Sequence, residues 1–167
     1  MVRPDRGGCQ PRALARPRST WPPIDPGSER VQSDTLGSVI ERRRISSGGP
    51  WEARYGYSRA IVAGDTCHVA GTTDAGPDGR SRNPGDPGAQ ARAVLAIIEV
   101  ALREAGFALE HVVRTRMYVT DRAHIAPVAE AHGEVFGDVR PASTAIVVAG
   151  LIDPSLLVEI EADATRR

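Results

Sequence analysis

Apolar and polar positions alternate with a period of two in four stretches of the chain and switch to a helical period in two others. Residues 58–63 (Ser-Arg-Ala-Ile-Val-Ala) and 66–70 (Thr-Cys-His-Val-Ala) are short strand-like runs. Only Gly64-Asp65 separates them, which predicts a hairpin with a two-residue turn. Residues 74–88 are rich in Gly, Pro and Asp and predict a loop. From residue 89 to 105, Val94, Ile97, Ile98, Ala101, Leu102 and Ala105 recur at helical spacing, and Gly106 stands where a helix C-cap belongs.

Residues 112–120 (Val-Val-Arg-Thr-Arg-Met-Tyr-Val-Thr) read as a strand. Strict alternation puts Val113, Thr115, Met117 and Val119 on one face and Arg114, Arg116, Tyr118 and Thr120 on the other. Asp121 is placed to cap a second helix over 122–136, which Gly137 ends. Two strands follow, 143–149 and 156–164. In the last, Val158, Ile160 and Ala162 alternate with Glu159, Glu161 and Asp163. Two helices and five or six strands predict an α+β domain of two layers, with a mixed sheet carrying both helices on one face. The other face then bears Arg114, Arg116, Tyr118, Glu159 and Glu161, either in water or where subunits meet.

Composition changes this picture mainly at the N-terminus. Residues 1–35 hold many of the prolines and arginines and few large apolar side chains, so they predict a disordered extension ahead of a domain over 36–167. A targeting peptide and a start-site artefact are the alternatives; the segment shows neither helical periodicity nor an apolar core. Over the whole chain, 21 basic residues, all Arg, balance 21 acidic ones. A formal net charge of zero argues against nucleic-acid binding by bulk charge. No apolar run is long enough for a membrane-spanning helix, and a cytoplasmic protein is expected.

Candidate chemistry is sparse. Glycine-rich nucleotide loops, the G-x-S-x-G elbow and C-x-x-C are absent from the sequence. His68, His111, His124 and His132 form no close ligand pair, so no metal is expected. Cys9 falls in the extension, as an exposed thiol. Cys67 and His68 are strand neighbours that point to opposite faces, which excludes a direct pair and leaves Cys67 for the core. Glu159 and Glu161 share a strand face. They either pair with Arg114 and Arg116 or position a water or polar ligand. Arg116 is a candidate partner for a ligand carboxylate.

Tyr57-Ser-Arg-Ala-Ile-Val-Ala-Gly-Asp with His68-Val-Ala-Gly-Thr72 resembles the opening hairpin of the RidA (YjgF-type) reactive-intermediate deaminases. Gln90 matches a frequent Gln of the family's first helix. Val113–Asp121 is similar to its central strand, and residues 140–148 with Val158-Glu-Ile-Glu-Ala162 are similar to its C-terminal signature. The resemblance spans roughly residues 40–167.

It implies a chorismate-mutase-like fold and a homotrimer whose helix-free sheet faces meet at the centre, with ligand clefts between subunits. It implies hydrolysis of enamines and imines without metal or cofactor. Tyr57 matches the cleft Tyr and Glu159 the Glu linked to the attacking water. Thr72 stands where the family's hairpin has Gln, and Ser143 where the deaminases carry the Arg that binds the substrate carboxylate. Serine offers a hydrogen bond without charge, so a 2-imino acid is not the expected substrate unless Arg59, Arg116 or Arg140 supplies the guanidinium from elsewhere. The expectation is a small-molecule hydrolase or deaminase acting on enamine-, imine-type or related metabolites. Glu159 would be catalytic, with Tyr57, Thr72, Arg116 and Ser143 lining the cleft. A non-catalytic ligand-binding or chaperone-like trimer, and an endoribonuclease, are the alternatives.

Overall fold

The computed structural model describes residues 41–166. The reading of residues 1–35 as an extension, Cys9 included, lies outside the described residues. Six strands form one sheet: β1 (Arg42–Ile45), β2 (Ala60–Ala63), β3 (Thr66–Thr72), β4 (Val112–Val119), β5 (Ala142–Val147) and β6 (Val158–Thr165). Their spatial order is β1-β2-β3-β6-β4-β5. All neighbours are antiparallel except β4 and β5. That parallel pair needs a crossover, and helix α3 (Ile125–Phe136) supplies it. Helix α1 is Pro50–Tyr55 and α2 is Pro87–Glu104.

The sheet is mixed and two helices, α2 and α3, cover one face, as the alternation predicts. The core lies between them. Val94, Leu95, Ile98 and Leu102 of α2 pack with Val128 and Phe136 of α3 against Val69, Val119, Val158 and Ile160 of the sheet. In the β2–β3 hairpin Ala63 pairs with Thr66, and Gly64 takes φ +58°, a conformation that its missing Cβ permits. Cys67 is fully buried in the core.

Helix α2 begins where Asp86 accepts a hydrogen bond from the Ala89 amide at 2.9 Å. At its other end Gly106 is left-handed, with φ +77°. The last carbonyls are capped by arginines from both ends of the domain: Arg43 donates to Ala105 O at 2.7 Å and Arg166 to Gly106 O at 3.0 Å. Asp121 caps the short helical turn that leads into α3, accepting from the Ala123 amide at 2.7 Å.

Three points differ from the sequence reading. Strand β1 and helix α1 precede the predicted hairpin. The run Arg-Arg-Arg-Ile shows no alternation, and six residues are too few for a helical period. Val113 is exposed (49%), not on the core face. Val112 pairs with Ala164 and Arg114 with Asp163, so Val113 is the extra residue of a β-bulge and the alternation slips by one there. Ile97 is only half-buried, and Leu95 fills the core in its place.

Candidate functional site

A second bulge builds the site. Strand β3 pairs Val69 with Ala162 and then Thr72 with Ile160, three steps along β3 against two along β6. The extra residue lies at Ala70-Gly71, opposite Glu161 in register, and the side chain of Glu159, one residue beyond Ile160, reaches back to it. A Cβ on Gly71 would overlap Glu159 Oε1, so the carboxylate lies across a position that only glycine leaves open. Arg59, immediately before β2, braces the bulge. Its guanidinium donates to the carbonyl of Gly71 at 3.3 Å and to the hydroxyl of Thr72. That hydroxyl in turn donates to Ala70 O at 2.8 Å.

Glu159 is half-buried, and among the described residues no donor bonds to its carboxylate. Burial pushes its pKa up, and the neighbouring Glu161 pushes it further. The charge of Arg59 opposes both without cancelling them. The other acids of the same face are matched. Arg116 donates to Glu161 at 2.8 Å and to Asp163 at 3.3 Å, and Tyr118 donates to Glu161 at 3.2 Å. His68 Nδ1 lies 2.7 Å from the other oxygen of Asp163. The predicted polar face is therefore a network of ion pairs with one carboxylate left out of it.

Tyr57 follows α1, whose end is fixed by left-handed Gly56 (φ +72°), and it lines a groove on this same face with Arg116, Glu161 and Asp163. The residue is 42% exposed. Glu52 anchors the wall of that groove. Burial raises its pKa, but hydrogen bonds from Ser46 and Ser47 (2.6 Å each) overcome this and hold the carboxyl below its ordinary value.

The five predicted site residues thus divide. Glu159, Tyr57 and Arg116 share the helix-free face. Thr72 is buried at the bulge and its hydroxyl is engaged by Arg59 and Ala70. Ser143 is elsewhere: it pairs with Thr115 on the helix side of the sheet and is bonded by the Thr115 hydroxyl at 3.0 Å. Within one chain Ser143 and Glu159 are on opposite faces. Sequence reasoning gave Gly71 no role, although a lone glycine in a strand is the ordinary sign of a close approach. Arg59, one of three arginines that the sequence offers as an alternative guanidinium, is engaged instead in bracing the bulge.

Among the described residues no group of three His, Cys, Asp or Glu is arranged to hold a metal, and no helix is long and apolar enough to cross a membrane.

Residues 50–166 match the family model described as endoribonuclease L-PSP. The chain belongs to the YjgF/UK114 (RidA-type) family. A YjgF/YER057c/UK114 family member from Mycobacterium tuberculosis, of known crystal structure, is 46% identical with a TM-score of 0.69 over 75% of this chain and all of that one. An uncharacterized protein of Streptomyces coelicolor is 40% identical over 124 residues, 74% of this chain and 92% of its own length. A RutC family protein of Pyrococcus horikoshii is 36% identical over 108 residues, 65% of this chain and 85% of that protein. For a YjgF/UK114 member, the mixed sheet with two helices on one face is the family's chorismate-mutase-like architecture.

Proposed function

We propose that the protein is a cofactor-independent hydrolase of small enamine-, imine-type or related metabolites, working in clefts between the subunits of a homotrimer. The observation that carries this reading is the Glu159 carboxylate: half-buried, without a donor among the described residues, and raised in pKa beside Glu161 and Asp163, which are both paired. A carboxyl group in that state is a ready general acid–base. As the carboxylate it takes a proton from water while the oxygen adds to the C=N carbon. As the acid it returns that proton to nitrogen, and the carbinolamine then releases ammonia or an amine. Tyr57, exposed on the same face, is the aromatic wall of the cleft. Arg116 stays with Glu161 and Asp163 and sets the local charge.

Ser143 reaches the site only from a neighbouring copy, because within one chain the sheet separates it from Glu159. It brings a hydroxyl where the deaminases of the family bring a guanidinium. The substrate is therefore one without a free carboxylate next to the C=N bond. A non-catalytic binding trimer is the second reading, favoured by the internal engagement of Thr72 and Arg116. Endoribonuclease activity has less support, since the charge of the chain is balanced and Arg116 is paired with Glu161 and Asp163.

The test uses imines generated in place by an amine oxidase, with aldehyde release as the readout. The wild type is expected to accelerate release, and Glu159→Gln to reduce it by about a hundredfold or more, the usual contribution of a positioned acid–base. No acceleration by the wild type, with a ligand still protecting the trimer against heat, would favour the binding reading.

A further inference from the structure

The helix-covered side of the sheet carries two reactive groups that the Glu159 chemistry does not use, Thr115 and His132, and both are linked to Ser143. Thr115 Oγ1 is buried and lies 2.9 Å from His132 Nε2 on α3 and 3.0 Å from Ser143 Oγ on β5. The imidazole is fixed by packing on Phe136, with ring centroids 4.8 Å apart. It is half-buried, and burial lowers its pKa, so the ring is neutral at neutral pH. Ser143, in contrast, is exposed on the edge strand. An exposed hydroxyl is thereby linked to a neutral base through one buried hydroxyl.

The backbone around Ser143 adds donors. The amide of Val148 bonds to Val119 O at 2.8 Å. Amide directions alternate along a strand, so the N–H groups of Ser143 and Ala145 point away from β4 to the open edge. Donors at that position suit an oxygen that becomes negative during attack.

We propose that Ser143 is a nucleophile toward the carbonyl carbon of small activated esters, with Thr115 passing its proton to His132. The two hydroxyls can turn either way. With the imidazole proton on Nδ1, the bonds run from Ser143 to Thr115 and from Thr115 to Nε2. Ser143 Oγ then forms the bond to carbon. Its proton moves to Thr115 Oγ1, and the Thr115 proton moves to Nε2. As the C–O bond to the leaving group breaks, the imidazolium sends a proton back along the same path to the departing oxygen. Water hydrolyses the acyl-serine by the same route, and Ser143, Thr115 and His132 are restored. Within one chain this centre is on the opposite sheet face from Glu159, and its ester chemistry does not rest on the imine reading, although Ser143 is also the residue placed in the neighbouring copy's cleft.

The experiment treats the full chain with diisopropyl fluorophosphate, which traps activated serines irreversibly, and maps the adduct by peptide mass. Ser143 is expected to react about a hundredfold faster than the other serines of the same molecule, the range of general-base assistance. Thr115→Val should remove that advantage and Thr115→Ser should keep it. The labelling rate should rise with pH through one ionisation that His132→Gln abolishes. Labelling of Ser143 no faster than of the other serines overturns the proposal without recourse to any variant. So does a Thr115→Val or His132→Gln protein that folds and labels like the wild type.

Discussion

A half-buried carboxylate without a donor costs stability whenever it is ionised. Glu159 has its folded-state pKa raised above the unfolded value, so folding favours its protonated form. The cost is absent below the ordinary carboxylate range and fully present above the raised pKa. Glu159→Gln should therefore melt higher than the wild type at about pH 8, and the gain should shrink towards about pH 4, where both side chains are neutral. A melting-temperature difference that is flat in pH would contradict this. Catalysis has the opposite preference, since the base must be ionised: imine hydrolysis should rise with pH through that same raised pKa. Gly71→Ala tests the placement of the carboxylate. The flexible Glu159 side chain swings away from the new methyl, so calorimetry should show a change within about 1 kcal/mol, while Glu159-dependent hydrolysis falls. Ser143→Arg tests the missing guanidinium. A charge-assisted bond to a carboxylate contributes roughly 1.5–3 kcal/mol, so hydrolysis of 2-imino acids should rise about tenfold or more. A folded, trimeric and inactive Ser143→Arg variant would count towards the binding reading.

At the scale of elements, Gln90 ties helix α2 to the approach to β6. Its side chain is fully buried. It donates to Asn83 O at 3.0 Å and Ser155 O at 2.9 Å, and accepts from the Leu157 amide at 2.8 Å. Gln90→Ala leaves two carbonyls and an amide, all part-buried, without their partner and should cost about 2–4 kcal/mol in denaturant unfolding. A loss under 1 kcal/mol would show that water replaces the amide group. Elements with strong periodicity were legible in the sequence: α2, α3, the β2–β3 hairpin and the alternating β6. What escaped has physical causes. A bulge changes the phase of a strand without changing its composition, so Val113 was assigned to the wrong face and the crossing of Gly71 by Glu159 was not foreseen. Strand β1 contributes one buried residue, Ile45, and has no pattern of its own. The matched pairs of the polar face follow from register, which puts Arg116 beside Glu161. The isolation of Glu159 depends on which side chains reach which, and no spacing rule encodes that.

For the whole molecule, the helix-free face carries Arg116, Glu161, Asp163, His68 and Tyr118 in one hydrogen-bonded network. The open edge of β5 adds Ile146 and Val147, both nearly half exposed. Charges already paired within a subunit can be buried between subunits without leaving a lone ion in a low dielectric. Closed cyclic assembly is the common solution for soluble oligomers, and heterologous contacts between such faces close a ring. Light scattering should give a particle of three 17.8 kDa chains. A monomer at micromolar concentration would remove the intersubunit cleft and, with it, any meeting of Ser143 and Glu159. The most direct test of the central claim compares two imine sources, an amine oxidase and an amino-acid oxidase, with carbonyl release followed for the wild type and Glu159→Gln. The account predicts Glu159-dependent acceleration for the imines that lack a carboxylate and little for the 2-imino acids. Equal rates for wild type and Glu159→Gln on every imine would contradict it.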